Sequence, residues 1–227
     1  LGLHPQKRFF GGGPNSVRGF SQYRMGPQLL TIDDPVALVA PDSSLQPAWA
    51  GCTAQQVNGG VCDTQQLAEE DPDRFTGRPV GGAALLEANI EARFPIWRDR
   101  LRGAVFVDFG QVWQTPRDVR LKEIAWTPGA GIRYFSPIGP IRVDFGYNTS
   151  GAEVLPVRAT GVEVCPDEIG GVPQPCVAPD PGVYYPPDRL GNTNDLVDLQ
   201  AVNWDPRGDL TNFFDRIQIH FSIGQAI

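Results

Sequence analysis

Five segments of this chain alternate between apolar and polar residues, and this alternation constrains the fold more than any other feature. The segments run over about 83–94, 101–113, 124–135, 141–149 and 215–227. In the fourth segment, for example, the odd positions are apolar and the even positions polar from Ile141 to Asn148. A period of two residues is typical of a β-strand with one apolar and one polar face. The sequence therefore predicts an all-β fold with about five antiparallel strands.

Composition and charge exclude several other classes of protein. Gly (26) and Pro (22) interrupt the 227-residue chain too often for a helical bundle or a coiled coil. A net charge of −7 without a basic stripe argues against nucleic-acid binding. No apolar run approaches the roughly 18 residues of a membrane-spanning helix, which leaves a membrane barrel open because its strands alternate instead.

Two architectures present one apolar and one polar face, namely a soluble sandwich and a membrane barrel. Short connections at 95–100 and 136–140 lie on one side of the strands, and long segments (up to 80, 114–123 and 150–213) lie on the other. This asymmetry favours an outer-membrane up-and-down barrel. The polar face then lines the lumen and carries ten titratable groups: Glu87, Glu91, Arg93, Arg102, Asp108, Arg133, Arg142, Asp144, Arg216 and His220.

Five strands are too few to close such a barrel, which needs at least about eight. The chain also begins at Leu1 without Met or a signal peptide. We therefore expect the C-terminal portion of a transmembrane barrel, cut from a longer protein.

Four cysteines form two local pairs in Gly-, Pro- and Gln-rich stretches. Cys52 and Cys62 are ten residues apart, and Cys165 and Cys176 are eleven apart. Neither spacing suits a zinc site, and the chain has only two histidines. Of the three possible connectivities, the local one closes the shortest loops, so we predict two loop disulfides in an oxidising compartment and no metal site.

The segment from Arg8 to Phe20, RFFGGGPNSVRGF, resembles the signature of the outer-membrane barrel-assembly superfamily, also called the bacterial surface antigen family. Its members include the insertase of the barrel-assembly machinery and the barrel of the translocation-and-assembly module. Further segments match in order: Gly81-Gly82, Ala104–Trp113, Gly129–Arg133, Ser136–Arg142 and Phe221–Ile227.

The resemblance implies a sixteen-stranded barrel preceded by periplasmic polypeptide-transport-associated domains. Residues 1–227 would form its C-terminal part: a large external loop (1–80), four strands (81–149), a long external loop (150–213) and the final strand (214–227). In the family, a VRGF motif folds back into the lumen and its arginine contacts acidic residues of the inner wall. The motif here is Val17, Arg18, Gly19 and Phe20, and the matching acceptors are Glu91 and Asp108. The alternation pattern independently places both acceptors on the wet face.

The resemblance also implies a weak seam at the final strand, where a client strand is added. The seam residues here are Phe221, Ile223, Gly224 and Ile227. Gly224 has no side chain to pack, which weakens strand pairing. Ile227 departs from the Phe or Trp that often ends the family members.

The sequence contains no GxSxG, HExxH, Walker or dinucleotide motif, so we expect no enzyme, no catalytic residue and no cofactor. The resemblance implies insertion of outer-membrane proteins in the bacterial outer membrane. The implied partners are outer-membrane lipids, unfolded client proteins and periplasmic accessory proteins. Two alternatives stay open: a two-partner-secretion pore, and a non-transporting, disulfide-stapled β domain for adhesion or binding.

Overall fold

The computed structural model describes residues 3–39, 51–98, 100–137, 139–166, 174–181, 183, 185, 189–205 and 213–223. No helix in these ranges is both long and apolar enough to cross a membrane. The helices there are α1 (Ala54–Asn58), α2 (Gln65–Glu70) and several short 3-10 turns. The strands, in chain order, are β1 (Gln28–Ile32), β2 (Phe75–Pro79), β3 (Ala84–Trp97), β4 (Leu101–Trp113), β5 (Ala125–Ser136), β6 (Gly139–Tyr147), β7 (Glu153–Val164), β8 (Leu190–Trp204) and β9 (Ile217–Ile223).

The chain divides into two compact units. The first unit comprises residues 1–28, 79–151 and 209–227, and the second comprises 29–78 and 152–208. The first unit contains an antiparallel sheet in the order β3-β4-β5-β6-β9. These are the five strands that the alternation predicts, and the all-β prediction is confirmed.

Short connections set the register of this sheet. β5 and β6 are joined so closely that Ser136 lies opposite Gly139, and the ladder continues until Gly131 lies opposite Asp144. β9 follows β6 in space although a long segment separates them in sequence, and it places His220 opposite Asp144. The register therefore gathers the polar residues of neighbouring strands on one face of the sheet.

Burial in this sheet is inverted relative to a soluble protein. On the apolar face, Ile90, Val105 and Ile219 are 69%, 48% and 63% exposed. On the polar face, Asp108 and Asp144 are each 0% exposed. The remaining exposed large apolar side chains of the sheet are Leu86, Phe94, Ile96, Trp97, Trp126, Ile132, Tyr134, Phe135, Phe145, Phe221 and Ile223. An apolar face this extensive needs lipid or another apolar partner, and with a polar inner face it is the orientation of a membrane barrel.

The second unit contains strands in regions where the sequence predicts irregular external loops. Its sheet has the order β2-β1-β7-β8, with β1 parallel to β7 and β7 antiparallel to β8. A Pro within a run argues against a strand, and Pro156 interrupts the pattern of β7. In the structure the register shifts between Leu155 and Val157, and such an irregularity accommodates a residue that cannot donate to the ladder.

The second unit also has its own apolar core. Helix α1 begins with a capping box, in which Thr53 and Gln56 satisfy each other's backbone N–H groups. The largest fully buried apolar side chains of this core are Leu30, Leu38, Val39, Val57, Val157, Val162 and Val202. This part of the chain is therefore a packed α+β unit rather than a set of open loops.

The net charge differs in sign between the two units. The second unit has 17 Asp and Glu against 5 Arg and no Lys, a formal charge of −12. The first unit has 9 Asp and Glu against 14 Lys and Arg, a formal charge of +5. The negative net charge of the whole chain therefore comes from the second unit. The polar face of the five-stranded sheet β3-β4-β5-β6-β9 lies in the first unit, which has excess positive charge.

The exposed apolar face generates a prediction about stability in lipid. Ile90 lies near the middle of β3 and points outward. In the full-length protein in bilayers, Ile90→Arg should lower the free energy of unfolding by about 2–4 kcal/mol, because a guanidinium would enter the hydrocarbon layer. The measurement is a denaturant titration, with Ile90→Leu as the control. A change below about 0.5 kcal/mol, as for an ordinary water-exposed site, would contradict the assignment.

Candidate functional site

A glycine-rich turn directs the chain onto the inner face of the sheet. Gly12 and Gly13 adopt positive φ angles of 95° and 109°, which side-chain-bearing residues rarely adopt. The Gly12 N–H donates to Ser16 Oγ at 2.8 Å, and the Gly13 N–H donates to the Phe20 carbonyl at 3.0 Å. These bonds close residues 12–20 into a compact loop, here called the VRGF loop.

An apolar contact fixes the start of the motif. Val17 is buried in a small cluster with Met25 and Val112, and Phe20 and Leu85 pack against it. Val112 belongs to β4, so this apolar contact attaches the VRGF loop to the sheet independently of any charged group. Burial of one Val side chain stabilises by about 1.5 kcal/mol or more.

Arg18 makes two-pronged hydrogen bonds to Asp108. Its Nε donates to Asp108 Oδ2 at 2.8 Å and its Nη2 donates to Oδ1 at 2.8 Å. The Arg18 backbone N–H also donates to Asp108 Oδ2, at 2.9 Å. Bidentate, charge-assisted bonds of this kind fix orientation as well as position.

Further partners surround the same guanidinium. Its Nη1 donates to Glu91 Oε2 at 2.7 Å and approaches Asp144 Oδ2 at 3.5 Å. The guanidinium carbon lies 3.3 Å from the centre of the Phe106 ring, which adds a cation–π contact. Arg18 is therefore held by side chains of β3, β4 and β6.

The three carboxylates have other arginine partners. Glu91 accepts from Arg93 Nε at 2.6 Å and from Arg133 Nη2 at 3.1 Å. Asp144 accepts from Arg133 Nη1 at 2.6 Å and from Arg142 Nε at 3.2 Å. Asp108 differs, because among the described residues its ion-pair partner is Arg18, with an additional hydrogen bond from Asn89. Arg18 is therefore the partner that satisfies most of the hydrogen-bonding capacity of Asp108.

The surroundings keep Arg18 charged. Burial by itself lowers the pKa of an arginine, but the hydrogen bonds to Asp108 and Glu91 outweigh it and hold the pKa of Arg18 above its usual value. Buried ion pairs of this kind add little net stability when intact, but removal of one partner costs about 3–5 kcal/mol because a buried charge is left uncompensated.

Glycines of the inner wall give the loop backbone room to approach. A Cβ on Gly146 of β6 would lie 2.3 Å from the Arg18 carbonyl oxygen, and one on Gly110 of β4 would lie 2.6 Å from Val17 Cγ2. Such distances are too short for real side chains. The Gly19 N–H donates to Thr127 Oγ1 at 3.3 Å on β5. The VRGF loop therefore lies in a slot on the inner face of the sheet, which exists because Gly110 and Gly146 carry no side chains.

The structure brings together the predicted motif Val17–Phe20 with Glu91 and Asp108. Phe221 and Ile223, which the sequence predicts as seam residues, lie on the outward apolar face of β9, away from this cluster. Gly224 and Ile227, also predicted seam residues, lie outside the described residues.

The predicted cysteine pairing is confirmed. Disulfides join Cys52 to Cys62 and Cys165 to Cys176, and the described residues contain no free cysteine. Glu163 lies close enough to Cys165 and Cys176 for a metal site, but both sulfurs are in the disulfide and lack the thiolate that binds a metal.

Sequence reasoning missed several members of the cluster. The alternation places Asp144, Arg133 and Arg142 on the wet face but does not identify them as neighbours of Arg18, and it gives no role to Phe106. The missing signal is the register. The short connection between β5 and β6 sets Gly131 opposite Asp144, and a glycine opposite a carboxylate leaves space for guanidinium groups above it.

An outward apolar face, a polar inner face and a loop docked on that inner face by an arginine define a segment of an outer-membrane-type barrel. The Omp85 superfamily domain matches residues 1–226, and the chain belongs to this superfamily. Its members are outer-membrane proteins that act in protein insertion or secretion, and they interact with outer-membrane protein clients and accessory proteins.

The cluster generates a prediction about Arg18. In the full-length protein, Arg18→Ala should lower the free energy of unfolding by about 3–5 kcal/mol, because Asp108 stays buried without its ion-pair partner. The free energy of unfolding of Arg18→Lys should lie between those of the wild type and Arg18→Ala, since an ammonium keeps the charge but cannot make both hydrogen bonds of the guanidinium to Asp108. Adding Asp108→Asn to Arg18→Ala should recover part of the loss in a denaturant titration. Wild-type stability of Arg18→Ala would contradict this account.

The glycine slot generates a second prediction. Gly146→Ala should displace the VRGF loop and increase protease cleavage within residues 12–20, because its Cβ would overlap the Arg18 carbonyl. Gly151→Ala is the matched control, since a Cβ there has no neighbour within 4 Å among the described atoms. Equal cleavage of the two variants would show that the slot does not hold the loop.

Proposed function

We propose that this protein inserts outer-membrane proteins into the membrane by adding client strands at the outer edge of β9. The observation that carries the proposal is the position of β9: it lies at one edge of the described sheet, with β3 at the other, it pairs with β6, and its apolar residues face outward. An unpaired strand edge offers backbone N–H and C=O groups to an incoming strand.

The membrane supplies the driving force in this proposal. Unpaired backbone groups are costly in hydrocarbon, so a client strand that pairs with the edge lowers the free energy as it enters. Burial of its apolar side chains in lipid adds to this gain. The mechanism therefore requires no nucleotide, cofactor or catalytic residue, and we propose that the protein is not an enzyme.

The docked loop supports the same proposal by making the sheet rigid. Arg18 connects β3, β4 and β6 through Glu91, Asp108 and Asp144. A sheet tied together from inside presents β9 in one fixed orientation. We therefore assign Arg18, Glu91 and Asp108 to a loop-to-wall tether, and Phe221, Ile223, Gly224 and Ile227 to the seam.

The implied partners follow from the mechanism. They are outer-membrane lipids, which cover the apolar face, unfolded outer-membrane clients, which supply strands, and periplasmic accessory proteins. The soluble adhesion domain considered as an alternative does not fit, because its apolar face would have to be covered by a protein layer, whereas residues such as Ile90 and Ile219 are exposed.

Photo-crosslinking in the full-length protein tests the proposal. A benzophenone amino acid at Phe221, outward on β9, should capture an unfolded outer-membrane client during its folding into bilayers. The matched control is the same residue at Ile132, which also points outward but lies in the central strand β5. It should capture little client.

A secretion pore would give a different pattern. Client would then be captured at a lumen-facing position such as Arg93, and would be found on the far side of the membrane rather than folded within it. That result, or equal capture at Phe221 and Ile132, would overturn insertion at β9.

A further inference from the structure

The VRGF loop also touches the last strand, and no part of the predicted tether accounts for this contact. His220 of β9 lies opposite Asp144 of β6 and points to the inner face. Its Nε2 is 3.0 Å from the carbonyl oxygen of Arg18. Because a carbonyl only accepts hydrogen bonds, Nε2 carries the proton and donates it.

A second contact lies two residues earlier on the same face of β9. The Ser21 hydroxyl donates to Gln218 Oε1. Two successive inward side chains of β9 thus hold the VRGF loop at Arg18 and the residue directly after the loop, Ser21. In the described sheet, β9 pairs with a single strand, β6, so these side-chain contacts are a second attachment for it.

Arg18 is therefore bound through two different groups. Its guanidinium is held by carboxylates of β3, β4 and β6, and its carbonyl is held by β9. Displacement of the loop would remove the acceptor of His220. The guanidinium contacts that dock the VRGF loop and the carbonyl contact that holds β9 thus meet in the same residue, Arg18.

We propose that His220 is a positioning residue that transmits the docked state of the VRGF loop to the final strand. With the loop docked, His220 holds β9 against β6 in the register that the sheet shows. With the loop displaced, β9 loses its inner attachment and opens more readily from β6. This inference deepens the proposed function, since β9 is the strand to which clients would be added.

Hydrogen exchange of the β9 peptide in the full-length protein tests the proposal without any client. His220→Ala should speed exchange of residues 217–223 by about two- to tenfold, the range expected for loss of one hydrogen bond. His220→Gln should restore most of the protection, because its amide can also donate. Ser222→Ala, at the next inward position of β9, is the matched control and should leave exchange unchanged.

A double-mutant cycle separates transmission from ordinary packing. In a Gly146→Ala background, where the loop is displaced by size, His220→Ala should have no further effect on β9 exchange. The same acceleration in this background as in the wild type would show that His220 acts without the loop. That outcome, or unchanged exchange in His220→Ala alone, would overturn the proposal. Because exchange is measured without client, a failure of client insertion at β9 would leave this result unaffected.

Discussion

The structure of the first unit depends on the charge pairing between Arg18 and Asp108. A buried carboxylate is costly unless it is paired and hydrogen-bonded, and Asp108 receives three hydrogen bonds from this one residue. The sheet therefore places a buried carboxylate whose ion-pair partner, among the described residues, comes from the loop and not from the sheet. The VRGF loop supplies that cation, so wall and loop are complementary in charge as well as shape.

Shape complementarity comes from the glycines of the wall. Charge alone would attract a guanidinium, but the backbone of the loop lies so close to β6 that Gly146 cannot carry a side chain. The same closeness brings the Arg18 carbonyl within reach of His220. One close approach thus connects the carboxylate cluster on one side of the sheet to its last strand on the other.

The average properties of the chain conceal a difference in charge and packing between its two units. Its overall acidity is the sum of a strongly acidic second unit and a basic first unit. The same separation holds for packing. The second unit has a closed apolar core around residues such as Leu30 and Val157, whereas the first leaves its apolar face open. Each unit therefore follows different rules of burial, and whole-chain composition describes neither.

The sequence by itself determined the five barrel strands, the face on which each side chain lies and the identity of the arginine in the loop. These are local properties, because a period of two residues fixes the face on which each side chain lies. Only the tertiary structure decided that Asp144 joins Glu91 and Asp108 around Arg18, how the loop passes over Gly146, and that His220 binds the Arg18 carbonyl. It also decided the pairing of β1 with β7, in which Leu30 meets Val157 across most of the chain. Such contacts join segments distant in sequence, and the local alternation of apolar and polar residues cannot predict them.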